Sequence, residues 1–169
     1  MDIRQYSENV NIITEKWTFY QLKKWKDEGK LIFGNEPSSN KVWPQGRRAK
    51  LIESVLMGIP LAPIFANTDN QGRLVFFDGF NRLSSVFAFI DGDLSLEKLE
   101  ILGSYNGKYY TFLPPYLQSR INSFTIQLCI IKPGTDEKVV ASILQRVNIQ
   151  STAIKKQIVV ESLNKINKE

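Results

Sequence analysis

The sequence contains no histidine among its 169 residues, and this absence excludes more chemistry than any other feature of its composition. Histidine is the commonest metal ligand and the commonest general base near neutral pH. A Ser-His-Asp triad, a histidine-bound catalytic zinc and an HNH-type nuclease centre therefore cannot be built from this chain alone. We accordingly expect no HNH nuclease activity from it.

Cysteine and long apolar runs are also scarce. The one cysteine, Cys129, lies in the apolar run 126–131, so it can form neither an intramolecular disulfide nor a thiolate metal cluster, and we predict that it lies in the core. The sequence has no run of about 18 or more apolar residues, which a membrane-spanning helix requires. Residues 1–5 also lack the basic-then-apolar pattern of a signal peptide. We therefore expect a cytoplasmic protein with no membrane partner.

The residues that are present indicate one globular domain with a basic surface. Hydrophobic residues make up 43% of the chain and charged residues 23%, which is typical of folded domains. Because no repeat, low-complexity tract or Gly/Ser linker occurs, we predict that residues 1–169 form a single domain. A net charge of +5 and a pI near 9.3 favour a polyanion such as DNA as a partner, or describe only a weakly basic, solvated surface.

The spacing of apolar residues predicts a mixed α+β fold, with helices packed against a mixed sheet. Helices are predicted after Thr18, at about 47–57, at 81–91, after Pro115, after Pro133 and near residue 151. Strands are predicted at 31–33, 63–66, 74–77 and 125–131, and a further hairpin is predicted around Asn106-Gly107.

The segment from Asp78 to Arg82 is the best candidate for a working site. A strand that ends in Asp-Gly and turns directly into a helix brings free backbone N–H groups and the positive end of the helix dipole together. Gly79 lets the backbone turn and approach a ligand, Arg82 can grip phosphate oxygens, and Asp78 can hold Mg²⁺ or a ribose hydroxyl. The local residues also fit an ordinary Asp-Gly turn followed by a surface arginine.

Two further groups of residues suit the same ligand. Trp43 with Arg47 and Arg48 forms either an aromatic and basic surface for a base and its phosphates, or a loop that Trp43 pins to the core. Arg146 and Asn148, at the end of an amphipathic helix, either close a pocket over the nucleotide or serve the helix end as a dipole partner and a C-cap.

The order of these elements resembles the ParB/sulfiredoxin superfamily and, within it, the N-terminal domain of GmrSD-type modification-dependent restriction enzymes. That family's motif usually reads Asp-Gly-Gln-Gln-Arg-Leu-Thr-Thr-Leu. The resemblance rests on Val42-Trp43, Leu51-Ile52-Glu53-Ser54-Val55-Leu56-Met57-Gly58-Ile59-Pro60, Asp78-Gly79-Phe80-Asn81-Arg82-Leu83-Ser84-Ser85-Val86 and, as support, Gln145-Arg146-Val147-Asn148.

The resemblance implies a ParB-like pocket that binds a nucleoside triphosphate with Mg²⁺ and hydrolyses it. In the full-length enzymes this hydrolysis is coupled to DNA cleavage by a separate HNH-type nuclease domain, so a role in DNA recognition, restriction-modification or phage defence is expected. Carried over, the resemblance makes Asp78 and Arg82 the candidate catalytic residues and Asp78 the metal ligand. The implied nucleotide-binding residues are Gly79, Asn81, Arg82, Ser84, Arg47, Arg146 and Asn148.

Two other functions remain open at this point. Phe80 and Asn81 stand where the family has two glutamines, which favours a non-catalytic module of this family that binds DNA or a partner protein without turnover. The other is metal-dependent nicking of DNA by the carboxylates of Asp78 and Glu53.

Overall fold

A five-stranded mixed sheet organises residues 10–34 and 42–146, which are the residues that the computed structural model describes. The strands are β1 (Ile12–Thr18), β2 (Leu31–Phe33), β3 (Ile64–Thr68), β4 (Leu74–Phe76) and β5 (Thr125–Ile131). Their order across the sheet is β1-β5-β3-β4-β2. The β5–β3 and β4–β2 pairs are parallel, whereas the β1–β5 and β3–β4 pairs are antiparallel. The predicted α+β class with a mixed sheet is therefore confirmed.

The helices also follow the predicted pattern. They are α1 (Phe19–Asp27), α2 (Gln45–Met57), α3 (Phe80–Asp91), α4 (Pro115–Ser123) and α5 (Glu137–Arg146). Thr18 caps α1 as predicted: its hydroxyl accepts the N–H of Gln21 at 3.1 Å, and the Gln21 side chain accepts the N–H of Thr18 at 2.9 Å. No helix of the described ranges is long and apolar enough to cross a membrane. The helix predicted near residue 151 lies outside those ranges.

The two faces of the sheet bury different helices, because successive residues of a strand point to opposite sides. The main core lies on one face, where strand residues such as Ile64 and Phe76 pack against α1, α2, α3 and α4. On the other face, Ile131 and the half-buried Phe77 pack against Val140 of α5. Helices α2 and α3 therefore share one side of the sheet, and α5 lies on the opposite side.

Strand β1 was not predicted. Its alternation is obscured by Glu15, which lies on the same side of the strand as Ile13 and Trp17, and whose carboxylate accepts the indole N–H of Trp17 at 2.7 Å. The partner of β1 is β5, more than a hundred residues later in the chain, so no local signal announces the pairing. Cys129 of β5 is half-buried rather than in the core as expected.

The hairpin predicted around Asn106-Gly107 is wrong. The segment 93–114 turns there, but it contains short 3-10 turns and no strand. The N–H of Gly107 donates to the carbonyl of Leu96 at 2.7 Å, and the Asn106 side chain accepts the N–H of Leu99 at 3.0 Å. The turn's polar groups are thus satisfied within an irregular segment, and no strand ladder forms.

A single buried carboxylate fastens this segment to α2. Glu53 is 4% exposed and accepts the backbone N–H groups of residues 100–102 at 3.3, 2.8 and 2.7 Å, which occupy both of its oxygens. Burial by itself raises the pKa of Glu53, but these backbone donors and the nearby Lys50 lower it, and the net pKa lies below the ordinary value. A nicking site that pairs Glu53 with Asp78 therefore loses its support.

We expect Glu53→Gln to lower the free energy of unfolding near pH 7 by about 1.5–3 kcal/mol, because the charge-assisted bonds are lost and the new amide N–H group faces backbone donors. Since the folded-state pKa is depressed, the carboxylate's contribution is present above its ordinary pKa of 4.5 and is lost as the pH falls through the folded-state pKa. Urea unfolding at a series of pH values should therefore show the two proteins converging in acid.

Glu100→Gln is the matched control, because its side chain belongs to the same segment but is 71% exposed. Its backbone N–H still donates to Glu53, and the ion pair that it loses with Lys50 is exposed, so stability should change by less than about 1 kcal/mol across the same pH series. Equal losses in the two variants would contradict the anchoring role of Glu53.

Candidate functional site

The candidate site lies at the junction of β4 and α3. Gly79 is the N-cap residue of α3 and adopts the left-handed conformation, with φ 92° and ψ 0°, so the predicted turn is confirmed. A Cβ atom on Gly79 would meet three side-chain atoms of Ile64 at 2.7–3.0 Å. The close approach that glycine permits here is therefore an approach to Ile64 in the core.

Arg82 lies in the first turn of α3, as predicted, but its guanidinium group is already engaged. Its Nη2 atom lies 2.6 Å from Oδ2 of Asp78 and 3.4 Å from the carbonyl oxygen of Pro63, and Nη1 donates to the carbonyl of Ala62. The side chain of Arg82 is 15% exposed and that of Asp78 is 34% exposed. The bonds from Arg82 to the two carbonyls tie the loop between α2 and β3 to the start of α3, and a phosphate that bound Arg82 would compete with Asp78.

The start of α2 lies beside the start of α3. The N–H of Trp43 donates to Oδ1 of Asn81 at 3.0 Å, and Arg48 donates to the Ser85 hydroxyl and the Ser84 carbonyl, both at 3.3 Å. These contacts advance in the same direction along both helices, so the two N-termini lie at the same end. Among the described residues, no side chain caps either terminus and neither first turn is acidic. The positive ends of two helix dipoles therefore lie together, which favours an anion.

A cation and an aromatic ring flank these helix starts. The guanidinium carbon of Arg47 lies 4.1 Å from the centre of the Trp43 ring, within the range of a cation–π contact. Trp43 is half-buried against the main core, whereas Arg47 is exposed and forms no ion pair with a described carboxylate. Both interpretations of Trp43 therefore have support, since the ring packs on the core and also carries Arg47.

The remaining predicted residues are only partly brought together. Ser84 lies one turn into α3, and its hydroxyl is 3.5 Å from the carbonyl oxygen of Asn81. Arg146 ends α5, which packs on the opposite face of the sheet from α2 and α3, and its side chain is not described. Asn148 lies outside the described residues, so closure of a pocket by these two residues stays a prediction.

The side chains around Asp78 determine which kind of metal site it could form. The described residues contain no group of three or more His, Cys, Asp or Glu side chains that could hold a metal ion. Oδ2 of Asp78 is bound to Arg82, which leaves Oδ1 as a ligand. Mg²⁺ in nucleotide sites needs only one or two carboxylates, because phosphates and water supply its other ligands. Asp78 thus fits a Mg²⁺ that arrives with a triphosphate, but not a metal centre made by protein alone.

Two features of the site went unnoticed in the sequence. The Asp78–Arg82 ion pair had a local signal in the two opposite charges four residues apart, although Asp78 precedes the helix and meets Arg82 across the Gly79 turn. The contact between Trp43 and Asn81 spans 38 residues, and no pattern in the sequence points to it. The site was therefore predictable along α3 but not across to α2.

We expect Gly79→Ala to destabilise the protein more than Gly72→Ala does. Both glycines have positive φ, 92° and 74°, so alanine costs about 1–2 kcal/mol at either position. Only at Gly79 would the new Cβ also collide with Ile64, whereas nothing lies within 4 Å at Gly72. Overpacking of this kind costs about 1–3 kcal/mol more, which thermal unfolding of the two variants can measure.

A double-mutant cycle between Gly79→Ala and Ile64→Val tests the same contact. Ile64→Val removes Cδ1, the atom nearest to the Cβ position of Gly79 at 2.7 Å, so it should recover part of the loss caused by Gly79→Ala. Equal melting temperatures for Gly79→Ala and Gly72→Ala, with no recovery in the double variant, would show that Ile64 does not constrain the junction.

Comparison of the chain with protein-family models, with curated protein sequences and with solved structures finds no match. The resemblance of its motifs to the GmrSD N-terminal domain thus stays a hypothesis. What the chain does has to be argued from the paired helix starts and the side chains around them.

Proposed function

We propose that the chain is a ParB-like nucleotide-binding domain, similar to the N-terminal domain of GmrSD-type restriction enzymes, that acts in DNA recognition or restriction-related defence. The observation that carries the proposal is the meeting of two helix N-termini without side-chain caps, joined by the 3.0 Å bond from Trp43 to Asn81. Such termini offer oriented N–H donors and positive potential, which suit the phosphates of a nucleotide.

The exposed cation of this site would make the first contact with the ligand. Arg47 has no described carboxylate partner, so its charge is available to phosphate oxygens while its stem stays stacked on Trp43. Ser84 would donate its hydroxyl from the next turn of α3, in place of its long bond to the Asn81 carbonyl. A nucleoside triphosphate fits this set better than a neutral ligand does.

Arg82 would then exchange partners. A triphosphate that displaced the Asp78 carboxylate from Arg82 would receive the guanidinium fork and release the carboxylate. Asp78 is the residue that would hold Mg²⁺, which neutralises phosphate charge when it is bound. In hydrolysis, Arg82 would stabilise the charge that develops on the transferred phosphoryl group, and Asp78 would orient the attacking water.

A non-catalytic module is the second candidate, and the packing of Phe80 favours it. The Phe80 ring meets Phe33 edge-on, with 5.1 Å between ring centres, where the family has a polar glutamine. Such a domain would bind DNA or a partner protein without turnover, and any DNA cleavage would need a separate nuclease. Release of inorganic phosphate from NTP and Mg²⁺ separates the two candidates.

We expect at least one of ATP, GTP, CTP and UTP, with Mg²⁺, to raise the melting temperature, because a ligand that binds only the folded state stabilises it. Arg47→Ala should weaken that affinity about 2- to 5-fold, as expected for an exposed charge contact, and leave the ligand-free melting temperature unchanged. Lys108→Ala removes an equal charge from an exposed position of the 93–114 segment and should change neither value. Loss of affinity in both variants would mean that only net charge matters.

Arg82 should respond differently from Arg47. Charge-assisted bonds of the Arg82 type are worth about 1.5–3 kcal/mol, so Arg82→Ala should weaken NTP affinity about 10- to 150-fold. It should also lower the ligand-free melting temperature, because Asp78 and the carbonyls of Ala62 and Pro63 lose their donor.

Arg82→Lys is the companion variant, because it keeps the charge next to Asp78 but loses the fork. Compared with Arg82→Ala, Arg82→Lys should recover most of the wild-type melting temperature but should not recover the wild-type NTP affinity. Calorimetric titration of both variants gives the affinities, and wild-type affinity in both would refute the nucleotide site.

A further inference from the structure

A second concave surface lies beside the loop that Arg82 holds. It is a cleft of about 480 Å³ between this α2–β3 loop, the end of α4 and the strands β1 and β5. This volume falls within the range of small-molecule sites, roughly 300–1,000 Å³. None of the residues predicted for the nucleotide site lines it. The cleft is thus distinct from the junction of β4 and α3.

Its charge is of one sign. Lys16 and Arg120 line the cleft and no Asp or Glu does. Lys16 and Arg120, like Arg47, form no ion pair with a described carboxylate, so neither charge is neutralised by a neighbour. Concave walls that carry charge of one sign concentrate the electrostatic field and attract the opposite charge. The cleft is therefore suited to an anion.

Arg120 lies beside a glycine at the neighbouring helix end. Gly58 ends α2 in the left-handed conformation, and a Cβ atom there would lie 2.8 Å from Nη2 of Arg120. The guanidinium group of the exposed Arg120 thus lies directly beside the end of α2, where a Cβ atom would require it to shift. Within residues 10–34 and 42–146, no acceptor binds this group, so its donors are available to a ligand.

Neutral hydrogen-bonding groups complete the wall. Lys16 and Gln127 are direct cross-strand partners in the β1–β5 pair, so their side chains lie side by side on the same face. Ser123 and Thr125 add exposed hydroxyl groups. Two cations and several hydroxyl and amide groups line the cleft, and such a set matches the several oxygens of a phosphate better than the two of a carboxylate.

An aromatic residue closes one side of the cleft. Phe124 lines it and is stacked on Phe19, with ring centres 5.3 Å apart and an angle of 13° between the rings, so its position is fixed by the core. Leu61 of the loop adds further apolar surface. A ligand with a flat apolar part next to its phosphate would therefore bury surface here that a free phosphate ion could not.

We propose that this cleft binds a nucleotide phosphate, either of a free mononucleotide or of a single-stranded nucleic-acid backbone. The two ligands share the phosphate ester and the adjoining base, which are the features that the cleft's residues recognise. This inference does not rest on the triphosphate site proposed at the start of α3, because it uses different residues.

The test is titration of wild type, Arg120→Gln and Lys16→Gln with AMP without Mg²⁺, and with a labelled oligothymidylate of about 12 nucleotides. Each variant should weaken binding of the recognised probe about 5- to 10-fold, with an unchanged ligand-free melting temperature. For the oligonucleotide, each lost phosphate contact should also reduce the slope of log K against log salt concentration by about 0.7. If the variants weaken the binding of AMP but not of the oligonucleotide, the ligand is a mononucleotide. If they weaken the binding of the oligonucleotide and reduce its salt slope, the ligand is a single-stranded backbone.

Lys108→Gln and Arg47→Ala are the controls. Lys108→Gln makes an equal change in charge outside the cleft and should leave both affinities and the salt slope as in wild type. A wild type that binds neither probe, or binding that Lys108→Gln weakens as much as Arg120→Gln does, would overturn the proposal. Binding that Arg47→Ala weakens and Arg120→Gln does not would place the probe at the start of α3 and would also overturn it.

Discussion

The ion pair between Asp78 and Arg82 belongs to a set of contacts that joins the end of β4, the start of α3 and the α2–β3 loop. From the first turn of α3, Arg82 holds the end of β4 through Asp78 and the α2–β3 loop through the carbonyls of Ala62 and Pro63. Gly58, Pro60 and Leu61 of the same loop line the cationic cleft. One guanidinium group therefore restrains both the end of β4 and the loop that lines the cleft.

Much of the fold was predictable because its signals are local. The Thr18–Gln21 capping box announces α1, and the glycines after α2 and α3 mark where those helices end in the left-handed conformation. The failures have two causes: strand β1 depends on a partner more than a hundred residues away, whereas the Asn106-Gly107 turn bonds to nearby residues in a way that the dipeptide alone does not specify. The partner of β1 is β5, and the polar groups of Asn106-Gly107 bond to Leu96 and Leu99 instead of to a second strand.

The candidate site divides in the same way. The turn at Gly79 and the place of Arg82 follow from a strand, an Asp-Gly pair and an apolar helix in sequence, and they were predicted. The packing of Ile64 next to Gly79 was not predicted, because Ile64 belongs to another strand. Nor could the sequence show that Lys16 and Arg120 lie in one cleft, since they are joined only by the β1–β5 pairing and the end of α4.

The N-termini of α2 and α3 differ from the other helix starts because they lie side by side. Thr18 caps α1 by accepting the N–H of Gln21, whereas α4, like α2 and α3, has no side-chain cap from the described residues and begins at Pro115, whose nitrogen has no hydrogen to donate. Helices α2 and α3 have neither a side-chain cap from the described residues nor an acidic first turn, and they begin side by side. Asp78, the carboxylate at this junction, is neutralised by Arg82. Two uncompensated dipole ends cost stability, and it is this cost, together with the exposed Arg47, that makes the junction of α2 and α3 the candidate site.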